Sequence, residues 1–122
     1  MQRILVIEDD KAIREAIPHI ISTIYSGYEI STASDGREGL RKIKSLNPDL
    51  IITDLNLPGA FGTDLYNHAR HNSYMPDVVF MSGTEPDSYL KQILEKDSRC
   101  SFLTKPFGID SFRQVLDKYL IR

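Results

Sequence analysis

The chain has 122 residues, with 15 Lys and Arg against 17 Asp and Glu, and a formal net charge of −2. That length supports one hydrophobic core, read here as a single domain over residues 1–122, and the scattered cations speak against direct nucleic-acid binding. No apolar run approaches the roughly 18 residues that span a bilayer, and the lone Cys100 excludes an internal disulfide; no membrane contact and a cytoplasmic setting are expected.

The first predicted strand, "RILVI", runs into three carboxylates, Glu8, Asp9 and Asp10. Two like charges about 4 Å apart repel by roughly 4 kcal/mol at a surface-like dielectric, so a cation or a helix start must absorb them. Ile13, Ile17, Ile20, Ile21 and Ile24 then recur with helical period, interrupted by Pro18, which predicts a kink or an earlier end. A second strand, "YEIST", precedes "SDGREGL", where Asp35 can cap a helix and Glu38 can complete a capping box. Asn47-Pro48 ends that helix before a third strand, "DLIIT". The stretch "NLPGAFGTD" reads as a loop, followed by a helix through Leu65, His68 and Ala69. Strands "DVVFM" and "CSFL" enclose a fourth helix with Leu90, Ile93 and Leu94, and Phe112, Val115, Leu116 and Tyr119 mark a fifth. This βα alternation, with strands apolar on both faces, predicts an α/β fold: a doubly wound (βα)5 domain with a five-stranded parallel sheet covered on both sides.

Ligands in such sheets bind at the carboxyl ends of the strands. The first strand delivers Glu8, Asp9 and Asp10 there, the third Asp54 and Asn56, the fourth Ser82 and Thr84, and the fifth Thr104 and Lys105. Hard oxygen ligands in a small acidic nest suit Mg2+, and beside that ion Asp54 can act as a nucleophile toward phosphorus. Lys105 and Ser82 can neutralise and hydrogen-bond the transferred group.

The segments "VIEDD", "IITDLNLPG", "FMSGT" and "LTKPF", in this order and spacing, resemble the receiver domain of two-component response regulators across essentially the whole chain. The resemblance implies a flavodoxin-like sheet in the order 2-1-3-4-5. It implies phosphorylation of Asp54 by a sensor histidine kinase or a histidine phosphotransfer protein, with self-catalysed transfer and hydrolysis but no enzymatic turnover of a separate substrate. Asp9 would bind Mg2+ directly, Glu8 through water, and Asp54 and the Asn56 carbonyl would complete the metal set. Ser82 and Phe102 would form the switch, Asn56 and Thr84 would tune the phosphate lifetime, and Pro106 marks a position usually preceded by a cis peptide bond. Asp10 is assigned to the N-cap of the first helix. The output would be a changed face of fourth helix, fifth strand and fifth helix, offered to an unidentified downstream protein or to a second copy as a homodimer. The sequence ends with its fifth helix, so the changed face would act on a separate partner or, if the chain is a piece of a longer regulator, on an output domain outside it.

Several positions depart from the family pattern. Ser82 replaces a more frequent Thr, Phe102 lacks the phenol of a Tyr, "KDSRCSFL" lacks a Gly-Ala pair, and "GAFGTD" replaces an acidic loop, leaving Phe61 exposed. Taken singly, most of these residues have ordinary readings: a solvated acidic turn, a turn aspartate before Pro58, a core Phe102. His68 and His71 lie three apart without a further ligand nearby, His19 is ordinary, and Cys100 fills space. A degenerate receiver would show losses in the acidic set, and there are none. A Mg2+-dependent phosphohydrolase would need an acid at position 56, and a flavin carrier would be repelled by three carboxylates at its phosphate loop.

Overall fold

The alternation of apolar runs and helical periods becomes, in a computed structural model describing residues 2–71 and 75–121, twelve elements in chain order. They are β1 (Gln2–Ile7), α1 (Lys11–Ile24), β2 (Tyr28–Ala33), α2 (Gly36–Leu46), β3 (Leu50–Asp54), β4 (Asn56–Leu57), β5 (Ala60–Phe61), α3 (Gly62–His71), β6 (Asp77–Ser82), α4 (Ser88–Lys96), β7 (Cys100–Thr104) and α5 (Ile109–Leu116). The main sheet is parallel in the order β2-β1-β3-β6-β7, which is the expected 2-1-3-4-5 once the short ribbon of β4 and β5 is set aside. Parallel pairing requires crossovers, and the helices supply them on both faces.

Successive side chains of a strand point to opposite faces, so each central strand feeds two cores. Ile4 and Val6 join Ile17, Ile21, Phe112 and Leu116 under α1 and α5. Leu5 and Ile7 join Ile43, Leu65, Phe80 and Leu90 under α2, α3 and α4. Burial on both sides explains why these strands are continuously apolar.

Pro18 does not end α1, which runs unbroken from Lys11 to Ile24. An interior proline costs about 3 kcal/mol. Fully burying Ile17 and Ile21 contributes about 1.5 to 3 kcal/mol each, enough to offset that cost and carry the helix through. Asp10 caps α1 as expected, accepting the Ile13 N–H at 3.1 Å. Asp35 caps α2 through the Glu38 N–H at 2.7 Å, but the expected box is displaced by one residue: the Glu38 carboxylate accepts from Ser34 N–H rather than from Asp35. Asn47 closes α2 in the left-handed conformation, φ 46°.

The stretch after β3 is not a plain loop. Its two short strands pair antiparallel, Asn56 with Phe61 and Leu57 with Ala60, around Gly59 at φ 86°. Gly62 then donates its N–H to Leu55 at 2.9 Å, and a Cβ there would lie 2.7 Å from the Asp54 carbonyl oxygen. The glycine lets α3 start hard against the end of β3.

Candidate functional site

Asp54 is the last residue of β3 and is almost buried, while Glu8, one residue beyond β1, is completely so. Both strands are central, so both residues emerge at the middle of the sheet's carboxyl edge. The Glu8 N–H is held by the Ala33 carbonyl at 3.0 Å, which continues the β1-β2 ladder one step past the strand. Asp9, by contrast, is exposed. One carboxylate oxygen each from Glu8, Asp9 and Asp54 lie within 4.8 Å of one another, the only such acidic or metal-ligating group among the described residues.

Lys105 approaches from the end of β7. Its Nζ donates to Glu8 Oε1 and, at 3.1 Å, to Asp54 Oδ2. The Lys105 N–H is tied to the Ser82 carbonyl at 2.8 Å, so β6 fixes where the lysine leaves the sheet. Burial raises the Glu8 carboxyl above its ordinary pKa, against the lowering effect of the Lys105 bond. Burial alone would lower the Lys105 ammonium; the bonds to Glu8 and Asp54 outweigh it and raise its pKa. The lysine therefore stays charged.

Three carboxylates facing one ammonium leave two formal negative charges in a nest of hard oxygens. That donor set is compatible with Mg2+, which accepts one or two carboxylates and keeps water in its other positions. Asn56 lies in β4 with an exposed side chain, and its N–H is 3.5 Å from Asp54 Oδ1, the long limit of a hydrogen bond.

Ser82, 2 % exposed, ends β6; its Oγ lies 3.0 Å from Thr84 Oγ1 and accepts the Thr84 N–H at 3.1 Å. Phe102, in β7 opposite Phe80, is half-buried and packs on the core beneath α2, α3 and α4. The structure thus brings Glu8, Asp9, Asp54 and Lys105 into one cluster and sets Ser82 and Thr84 against each other. Phe61 is 59 % exposed, as expected, and lines a cleft of about 310 Å3 with Asn56, Thr84 and Tyr89. The Lys105-Pro106 peptide bond is cis.

Two features escaped the sequence. Arg14, on the second turn of α1, donates to the carbonyls of Glu8 and Asp9 at 3.0 and 3.2 Å. Asp97, which caps the end of α4, accepts Arg70 Nε at 2.8 Å and the Tyr66 hydroxyl at 2.7 Å, tying α3 to α4. Burial opposes its charge, but these bonds hold the Asp97 carboxyl at about 2. Asp97 also accepts the N–H of Arg99 on its carboxylate and that of Cys100 on its carbonyl, and so sets the path into β7 where the family's Gly-Ala pair is missing. Cys100 is buried, its thiol pushed up to about 12 by burial and by the Asp97 charge. His68 and His71 both lie on α3 and His19 on α1, and none joins a metal-binding group among the described residues.

This geometry defines a flavodoxin-like α/β protein with a cation-ready acidic site at its carboxyl edge. The family model of the response regulator receiver domain matches residues 4–117, and the chain belongs to that family. It is 30 % identical over 117 residues to the probable C4-dicarboxylate response regulator DctR of Bacillus subtilis, covering 96 % of this chain and 51 % of that protein. It is 31 % identical over 111 residues to the transcriptional regulatory protein KdpE of Staphylococcus aureus, covering 91 % of this chain and 46 % of that protein. The chain spans about half the length of these curated relatives.

Among solved structures, the chemotaxis response regulator CheY4 of Vibrio cholerae superposes with a TM-score of 0.82 at 29 % identity, covering 98 % of this chain and 99 % of that one. Response regulator TrrA of Thermotoga maritima, solved in complex with Mg2+-BeF, gives 0.78 at 30 % identity, covering 98 % of this chain and all of that one. Response regulators act in two-component signalling and are generally not enzymes. No helix among the described residues is long and apolar enough to cross a membrane.

Proposed function

We propose that this chain is a phosphorylation-dependent switch that accepts a phosphoryl group on Asp54 in a Mg2+-dependent reaction. The observation that carries this reading is the cluster itself: Asp54 at the end of β3, Glu8 and Asp9 within ligand distance, and Lys105 Nζ 3.1 Å from Asp54 Oδ2. Glu8, Asp9, Asp54 and the Asn56 carbonyl are the residues that would hold the ion. Bound there, Mg2+ supplies positive charge to the oxygens of the phosphoryl group.

In the transfer, an Asp54 carboxylate oxygen attacks phosphorus in line with the leaving group. With a phosphohistidine donor, on a histidine kinase or a phosphotransfer protein, the P–N bond breaks. Its electron pair stays with the ring nitrogen, and a donor imidazole already protonated on its other nitrogen leaves neutral. Lys105 moves its hydrogen bond from the Asp54 carboxylate to a phosphoryl oxygen and remains charged throughout. Hydrolysis later returns Asp54 to its free form, so the chain catalyses its own modification and its reversal without turning over a separate substrate. Asn56 and Thr84 flank the acceptor and tune that lifetime through access of water.

The acyl phosphate adds about two negative charges and new acceptor oxygens. Ser82 then exchanges its bond to Thr84 for one to the phosphoryl group, and Phe102 turns into the space vacated. Coupling of this kind reshapes the face of α4, β7 and α5, which meets a downstream protein or a second copy of the chain. Without a ring hydroxyl, Phe102 acts through packing alone. The intact acidic set favours this reading over a degenerate receiver, and Asn56 at the second position after Asp54 disfavours a phosphohydrolase.

The test is Asp54→Asn. Incubated with a small acyl phosphate and Mg2+, the wild type should gain the mass of one phosphoryl group and the variant none. A mass gain on the variant would show that Asp54 is not the acceptor.

A further inference from the structure

We propose that Arg14 is a positioning residue for the acidic nest, acting through the backbone of the loop between β1 and α1. The inference rests on the reading of the nest as a Mg2+-dependent phosphoryl acceptor and adds a residue to it. Arg14 Nη1 donates to two carbonyl oxygens at once, Glu8 at 3.0 Å and Asp9 at 3.2 Å. These belong to the two residues whose carboxylates face Asp54.

A trans peptide unit is planar, with its C=O and N–H pointing in opposite directions. Where the Asp9 carbonyl is turned to Arg14, the N–H of the same unit, that of Asp10, is turned away from it. That N–H donates to Glu8 Oε2 at 3.2 Å. The guanidinium therefore sets the plane of the Asp9-Asp10 peptide from one side, and the peptide holds the Glu8 carboxylate from the other. Lys105 takes the remaining Glu8 oxygen. Glu8 is thus oriented by a charge from β7 and by a dipole that Arg14 aligns.

The placement of Arg14 follows from the helix. The Asp10 side chain caps α1 through Ile13 N–H, and the Arg14 N–H is the donor to the Asp10 carbonyl at 2.9 Å, so residue 14 sits one turn above the cap. Long helical side chains lean back toward the N-terminus, which directs the guanidinium over the loop it binds. Half-buried and bonded to charged-residue backbone, it also adds a positive charge behind three carboxylates. Outer partners of this kind change metal affinity by about 10- to 100-fold when removed.

The experiment titrates the full chain with Mg2+ alone by calorimetry, comparing wild type, Arg14→Gln and Arg14→Lys. It also measures amide exchange at Asp10 in metal-free buffer. The Gln variant should bind Mg2+ about 10- to 100-fold more weakly. Its Asp10 amide should exchange faster. Lysine, one bond shorter but still charged, should recover part of both effects, and it carries the test should the Gln variant fail to fold. A Gln variant that binds Mg2+ like the wild type, with unchanged Asp10 exchange, overturns the inference. A wild type that binds no Mg2+ overturns the reading of the site instead, while the metal-free exchange still reports on the clamp.

Discussion

Lys105 Nζ bridges Glu8 and Asp54, residues 97 and 51 positions away in sequence, and its contact to Asp54 Oδ2 is 3.1 Å. Glu8 has a side chain only 1 % exposed, so the lysine is what makes its charge tolerable inside the fold. Removing one partner of a buried pair leaves the other uncompensated and typically costs about 3 to 5 kcal/mol. Lys105→Met should therefore lower the unfolding free energy by about that amount in metal-free buffer at neutral pH. Adding Glu8→Gln should restore part of it, because the orphaned charge is gone. Urea unfolding of the wild type, single and double variants reads both steps, and a single variant as stable as the wild type would contradict the pairing.

Much of this was legible beforehand because the signals are local. Continuous apolar runs such as "DLIIT" announce strands buried on both faces, and Asp10 and Asp35 sit where helices begin. The carboxyl-edge rule then gathers Asp54, Lys105 and the acids of the first strand without coordinates. What was not legible depends on distant partners. Asp97 meets Tyr66 and Arg70, 31 and 27 residues earlier, and nothing in "EKDSRC" signals that. The ribbon pairs Asn56 with Phe61 and Leu57 with Ala60 around Gly59, a pairing that a composition rich in Gly and Pro does not distinguish from a loop. Of the two outcomes that Pro18 allows, an early end of α1 does not occur, because burial of Ile17 and Ile21 outweighs local propensity.

The Asp97 bonds to Arg70 and Tyr66 predict an acid-sensitive latch between α3 and α4. The folded carboxyl, at about 2, lies below the ordinary 3.8. A depressed folded pKa contributes stability that is complete above pH ~4 and lost as pH falls toward 2, on the order of 2 kcal/mol. Asp97→Asn should remove about that much at neutral pH and flatten the stability curve between pH ~4 and ~2. Chemical denaturation at stepped pH checks it; an unchanged acid limb in the variant would refute the latch.

Ser82 predicts a separation between metal binding and switching. Its hydroxyl is engaged with Thr84, and it contributes no carboxylate to the Glu8-Asp9-Asp54 group. Ser82→Ala should leave the Mg2+ affinity within about twofold and cost about 1 kcal/mol of resting stability, the net worth of an ordinary hydrogen bond. The phosphorylation-induced change in the Phe102 ring resonances should shrink. Equal loss of Mg2+ binding and of the ring response would count against a coupling that runs through this hydroxyl.

The central claim is that one carboxylate, Asp54, carries the phosphorus. Borohydride reduces an acyl phosphate to an alcohol and leaves free carboxylates alone, so treating the phosphorylated chain and mapping its peptides locates the acceptor directly. The account predicts a Mg2+-dependent conversion of residue 54 to homoserine and of no other acid. Conversion at Glu8 or Asp9, or none at residue 54 after a confirmed gain of phosphate, would contradict it.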